Sequence, residues 1–79
     1  MHFTSENMAE LDVLLLYDLS TSEQGIKIHH TAEPARIAAA QSLFEKGFIT
    51  LVDGGYLTSL GQKAAEHTQA LFTMLNAHD

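Results

Sequence analysis

Residues 43–61 read LFEKGFITLVDGGYLTSLG. This stretch decides the fold because it holds a helix end, a hairpin and a helix start, each with the residue types that suit it. Leu43 and Phe44 close an apolar helical face, Lys46 stands where a cation complements the negative end of the helix dipole, and Gly47 can take the left-handed conformation that ends a helix. Phe48, Ile49, Thr50, Leu51 and Val52 are aromatic, β-branched or aliphatic and fit a pleated, half-buried surface. Asp53-Gly54-Gly55 tolerates positive φ in a two-residue reversal, and Tyr56-Leu57-Thr58 returns as the partner strand, which predicts a hairpin over 48–58. Thr58 or Ser59 is then placed to cap a last helix, with Gln62 as the reciprocal partner of Ser59.

Toward the N-terminus, Thr4 or Ser5 can cap a helix with Glu6 near its positive end. Met8, Leu11, Leu14, Leu15 and Leu19 recur at three- and four-residue steps, which predicts an amphipathic helix over 6–17 with that stripe as its buried face. Val13 and Leu16 fall off the stripe, so the helix is buried on two sides or meets a partner. A polar loop follows over 20–25, with residues that could also form a helical turn. Ile26-Lys27-Ile28 alternates as a short strand would and is expected to pair with the hairpin, giving three strands.

Thr31 can cap a second helix over 32–46, with Glu33 and Pro34 in its first turn. Ile37, Ala40, Leu43 and Phe44 form its expected buried stripe, and Ala35, Ala38, Ala39, Ser42 and Glu45 the opposite face. A last helix over 59–76 places Leu60, Ala64, Thr68, Leu71 and Leu75 on one stripe, with Phe72 and Met74 beside it. Its length of roughly 26 Å exceeds the roughly 15 Å of a short hairpin strand, so its most apolar end overhangs the sheet. The first helix or a second copy of the chain must cover that end. Residues 77–79 read as a frayed terminus. The fold class is α+β, mostly helical, in the order α-β-α-β-β-α with a small antiparallel sheet.

Helix, glycine, strand, short turn, strand ending in Leu-Thr, then glycine three residues on: this run resembles the second half of a winged helix of the kind found in the MarR and PadR regulator families. Leu43, Lys46-Gly47, Ile49, Asp53-Gly54, Leu57-Thr58 and Gly61 carry the resemblance, over about a quarter of the chain. The whole chain also looks like a small uncharacterised family of short acidic bacterial proteins. The resemblance implies one winged-helix-like domain over 1–79. In a DNA-binding regulator of that kind, helix 32–46 would be the reading helix and hairpin 48–58 the wing, with Lys27, Arg36, Gln41 and Lys46 as DNA contacts.

Charge opposes that use. Ten acidic residues face four basic ones, a formal net charge of −6, whereas DNA binding is driven largely by neutralising phosphates with Lys and Arg. The outer face of helix 32–46 is mostly methyl groups where base edges call for long hydrogen-bonding side chains, and the hairpin tip carries Asp53. With 79 residues, 46% of them hydrophobic, the chain is sized for one small domain. It contains no cysteine, so neither a disulfide nor a cysteine-based zinc site is open to it. No cleavage signal follows an apolar N-terminal run, and the longest apolar run, 13–17, is far short of the roughly 20 residues that span a membrane. A soluble cytoplasmic location is expected.

His29-His30 with Glu33 offers metal-ligand types, but neighbouring strand residues point to opposite faces and cannot easily share one ion. A polar pair at the strand-to-helix junction, or a pH-sensitive contact, is the other reading. His67, with Lys63, Glu66 and Gln69 nearby, reads as a solvated face, and Tyr17 and Tyr56 as amphipathic residues at the edge of the core. No carboxylate pair suits acid and base work, no base stands near Ser42, Thr58 or Ser59, and Gly54-Gly55 lacks the spacing and lysine of a phosphate loop. The expectation is a protein with no catalytic residue, metal or cofactor. It would be an adaptor or regulator acting through protein contacts as a homodimer, through Ala35, Ala39, Ser42, Leu71, Phe72, Met74 and Leu75. DNA binding is the alternative.

Overall fold

The computed structural model describes residues 1–21 and 23–77. Three helices, α1 (Ser5–Leu14), α2 (Pro34–Glu45) and α3 (Ser59–Leu75), alternate with strands β1 (Ile26–Lys27), β2 (Ile49–Leu51) and β3 (Gly54–Leu57). The α+β class, the order α-β-α-β-β-α and the small antiparallel sheet are as the sequence predicts. A frayed end over 77–79 concerns mainly His78 and Asp79, which, like Ser22 in the polar loop, lie outside the described residues. Among the described residues no helix is long and apolar enough to cross a membrane.

The junctions in 43–61 form by local chemistry. Gly47 takes φ 83°, its N–H donates to the carbonyl of Phe44 at 3.0 Å, and the N–H of Phe48 donates to that of Leu43 at 2.9 Å. This pair of bonds is the Schellman closure, which satisfies carbonyls the helix leaves free. Thr58, not Ser59, caps α3: its hydroxyl accepts the Gly61 N–H at 3.1 Å and donates to the Gly47 carbonyl at 2.6 Å. Gln62 bonds Glu66 instead of closing a capping box. A methyl at Gly61 would collide with the Phe48 carbonyl, so the absence of a side chain lets α3 lie directly against the root of the hairpin.

The reversal itself falls one residue earlier than expected, at Val52-Asp53, and both glycines belong to β3. The sheet order is β1-β3-β2, so β3 is flanked on both sides. Ile49 pairs with Leu57 and Leu51 with Gly54, which puts an extra residue in β3. Gly54 and Gly55, both at positive φ, absorb that bulge, and Thr50 Oγ accepts the Tyr56 N–H at 2.9 Å where the ladder is interrupted. A Cβ on Gly54 would stand 2.5 Å from the Ile26 carbonyl oxygen. Ile28 continues from β1 by donating its N–H to Asp53 at 2.7 Å.

Helix α2 begins later than Thr31 would have it. Proline restricts the residue before it to extended backbone, Glu33 takes φ −56° and ψ 138°, and the helix opens at Pro34 with no side-chain cap. A single turn over 29–32 precedes it, so one helix lies between β1 and the hairpin. At α1 the expected box forms with Thr4 as cap, Thr4 and Asn7 bonding each other's backbone N–H groups.

The buried face of α1 differs from the expected stripe. Glu10, Val13, Leu14 and Tyr17 point inward, Val13 at 0% exposure, whereas Met8 is 53% exposed. Two apolar faces with equal helical spacing share Leu14, and the one that meets the small side chains Ala39 and Ala40 of α2 becomes the core. Ile28, Leu43, Ile49 and Ala65 complete it. Phe44, expected inside, is exposed, because the inner arc of α2 is rotated onto Ala39, Ala40 and Leu43.

Candidate functional site

The face of α1 that the core does not use lines an apolar groove with the end of α3. Its walls are Phe3, Met8, Leu11 and Leu15 on one side and Leu71, Phe72 and Leu75 on the other. The docking of α3 on α1 is set by Gln69, whose amide donates to the carbonyls of Tyr17 at 2.8 Å and Leu14 at 3.2 Å. The Leu14 carbonyl closes α1 and that of Tyr17 lies in the bend just beyond it, where helical partners have run out. Ala65 is the last buried residue of α3, and every residue from 70 to 77 is exposed. The overhang predicted from helix length is thus present, and α1 covers only its beginning. Leu71, Phe72, Met74 and Leu75 range from 40% to 75% exposed.

The three residues predicted to offer an interaction face on α2 do not stay together. Ala39 is part of the core, Ser42 is half-buried and turned to α1, and only Ala35 is open to solvent. The alanine-rich face permits close helix contact, but its partner is α1 of the same chain.

At that contact stands a polar cluster that sequence reasoning missed. Glu10, 7% exposed, receives the Ser42 hydroxyl at 2.8 Å, the Lys46 ammonium at 2.7 Å and the Asn7 amide at 3.2 Å. Burial by itself raises the carboxyl, but the hydrogen bonds from Lys46, Ser42 and Asn7 outweigh it and hold Glu10 below its ordinary value. A signal existed: Glu10, Val13, Leu14 and Tyr17 form an i, i+3, i+4, i+7 set, and Ser42 and Lys46 lie one turn apart on α2. Gln69, placed by sequence on a solvated face, carried no comparable signal, since its partners are backbone carbonyls. Tyr17 is buried and not at the core edge. Its hydroxyl donates to the Gly55 carbonyl at 3.1 Å, and burial pushes it up to about 12.

Of the residues expected to touch DNA, Lys46 is occupied by Glu10. Lys27, Arg36 and Gln41 are exposed. Lys27 and Gln41 line one depression together with His30, and Lys27 and Arg36 line a second together with His29. The two histidines thus face different hollows, and among the described residues no three His, Cys, Asp or Glu side chains converge as metal ligands.

No curated protein and no solved structure matches the chain. The sequence model of DUF5669, a family of unknown function, matches residues 1–76, and the chain belongs to that family.

Proposed function

We propose that the protein is a non-enzymatic, winged-helix-like adaptor or regulator that works in the cytoplasm through protein contacts, as a homodimer joined at the groove between α1 and α3. The observation that carries this reading is the size of the apolar surface there. Taking about 200 Å² for a fully exposed large side chain, Phe3, Met8, Leu71, Phe72 and Leu75 present roughly 560 Å². That is at the upper limit of the largest apolar patch on a typical monomer, about 300–600 Å², and Met74 beside it brings the area toward the roughly 800 Å² per partner of a stable complex. Phe72 and Leu75 project from the same surface that forms the groove, the self-complementarity a twofold contact requires. The buried carboxylate of Glu10 has its oxygens occupied by Ser42, Lys46 and Asn7, an arrangement that ties α1 to α2.

DNA binding is the second reading, supported by the element order and the β1-β3-β2 sheet with its hairpin. Against it, a reading helix is normally held by a helix just before it that crosses the backbone, whereas only a turn lies between β1 and α2. The test is light scattering at micromolar concentration. A dimer is expected, and Phe72→Glu or Leu75→Glu converts it to a monomer with unchanged circular dichroism. A wild-type protein that is monomeric, with neither substitution altering it, refutes the dimer.

A further inference from the structure

We propose that a second surface, the pair of adjoining hollows beside β1 and α2, binds an acidic segment of another protein that also carries apolar side chains. The inference rests on the reading of the protein as one that acts through protein contacts, and it names the chemistry of the client. One depression runs from Lys27 and Ile28 past Ile37 and Gln41 to Val52 at the hairpin tip. A second runs from the same Lys27 and Ile28 past Ala32 to Arg36 and Leu16. Lys27 and Ile28 line both, so the two hollows adjoin along an edge strand of the sheet and together make up this surface.

Charge points to the occupant. Of the four cations, Lys46 is bound to Glu10 and Lys63, on α3, lines neither hollow. The other two, Lys27 and Arg36, both exposed, line the second hollow together, and among the described residues neither forms an ion pair. In a chain where acids outnumber bases ten to four, two unmatched cations beside the apolar Leu16, Ile28 and Ala32 are complementary to carboxylates that alternate with apolar groups. A duplex fits less well. Two phosphate contacts recover little counterion entropy, and the net charge of −6 opposes a long, densely charged polyanion more than a short segment with a few carboxylates, which meets Lys27 and Arg36 in the second hollow, away from Asp53.

The experiment is fluorescence anisotropy at low salt with three labelled probes: a Glu-rich peptide of about ten residues containing two leucines, the same peptide with Gln for Glu, and a mixed-sequence duplex. The Glu peptide is expected to saturate and the Gln peptide to bind far more weakly. The Lys27→Glu/Arg36→Glu double variant is expected to lose at least about tenfold in affinity for the Glu peptide, while Lys63→Glu changes it by less than about twofold. Absence of saturation, an equal loss in Lys63→Glu, or tighter binding of the duplex that the double variant abolishes would each overturn the proposal. Light scattering on the same samples separates the two ideas: a dimer that ignores the peptide refutes the peptide site alone, and a monomer that binds it refutes the dimer alone.

Discussion

Replacing Glu10 by Gln keeps the shape of the side chain and removes its charge, which isolates what the carboxylate does between α1 and α2. Its two oxygens accept from Asn7 on one side and from Ser42 and Lys46 on the other. Either placement of the Gln amide therefore sets a donor against a donor, and Asn7 cannot turn over without losing its bond to the Thr4 N–H. The Lys46 side chain is 51% exposed, so its ammonium stays hydrated and its Coulombic share is small. The buried bonds to a charged acceptor remain, and the expected loss is about 1–2 kcal/mol near neutrality. For a domain of this size that lowers the melting temperature by about 5–10 °C.

The sign with pH follows from linkage. The folded carboxyl lies below its ordinary value of 4.5, so the unfolded chain takes up a proton first as pH falls. The stabilisation is full above about pH 4.5 and is lost as pH drops through the folded value. Urea denaturation followed by circular dichroism near neutrality and at about pH 3 is expected to show the gap between wild type and Glu10→Gln closing in acid. A variant within about 0.5 kcal/mol of wild type near neutrality, or a gap of the same size at both pH values, would refute the account.

Gly61→Ala drives a methyl into the Phe48 carbonyl and is expected to destabilise by about 2–3 kcal/mol. Gly47→Ala meets no atom within 4 Å and adds only the strain of its backbone angle, about 1 kcal/mol, so denaturation midpoints are expected to fall further for Gly61→Ala. Gln69→Ala removes both bonds to the end of α1, with an expected loss of about 1–2 kcal/mol. Thermal melts check it, and an unchanged melting temperature would mean that water replaces the amide without loss.

The hairpin and the caps around it were legible because each depends on two or three neighbouring residues: the closure at Gly47, the cap at Thr58, the return strand ending at Leu57. The buried face of α1 was not, for a physical reason. Leu11, Leu14 and Leu15 repeat as well as Val13, Leu14 and Tyr17, and the choice between them is made by the alanines of α2, distant in sequence, which admit α1 closely at Ala39 and Ala40. A carboxylate at the head of the inward set then disguises it. Misjudging that face also moved the expected contact surface: of Ala35, Ala39 and Ser42 only Ala35 is exposed, while Met8, off the core, joins the end of α3. The overhang itself needed only helix length and was predictable. The start of α2 shows the converse error, since Thr31 is a good cap in isolation, and the backbone restriction imposed by Pro34 overrides it.

The double bond of Thr58 fastens two helix ends separated by only 11 positions, while the ties from Glu10 to α2 span 32 and 36. Short closures lose little chain entropy and form fast, and long ones follow. The polypeptide is therefore expected to acquire its structure from the middle outward, with the first helix clasped last. In stopped-flow measurements, Thr58→Ala then slows refolding, whereas loss of the Glu10 carboxylate mainly hastens unfolding; the opposite assignment of rates would mean that the two distant helices meet before the hairpin closes.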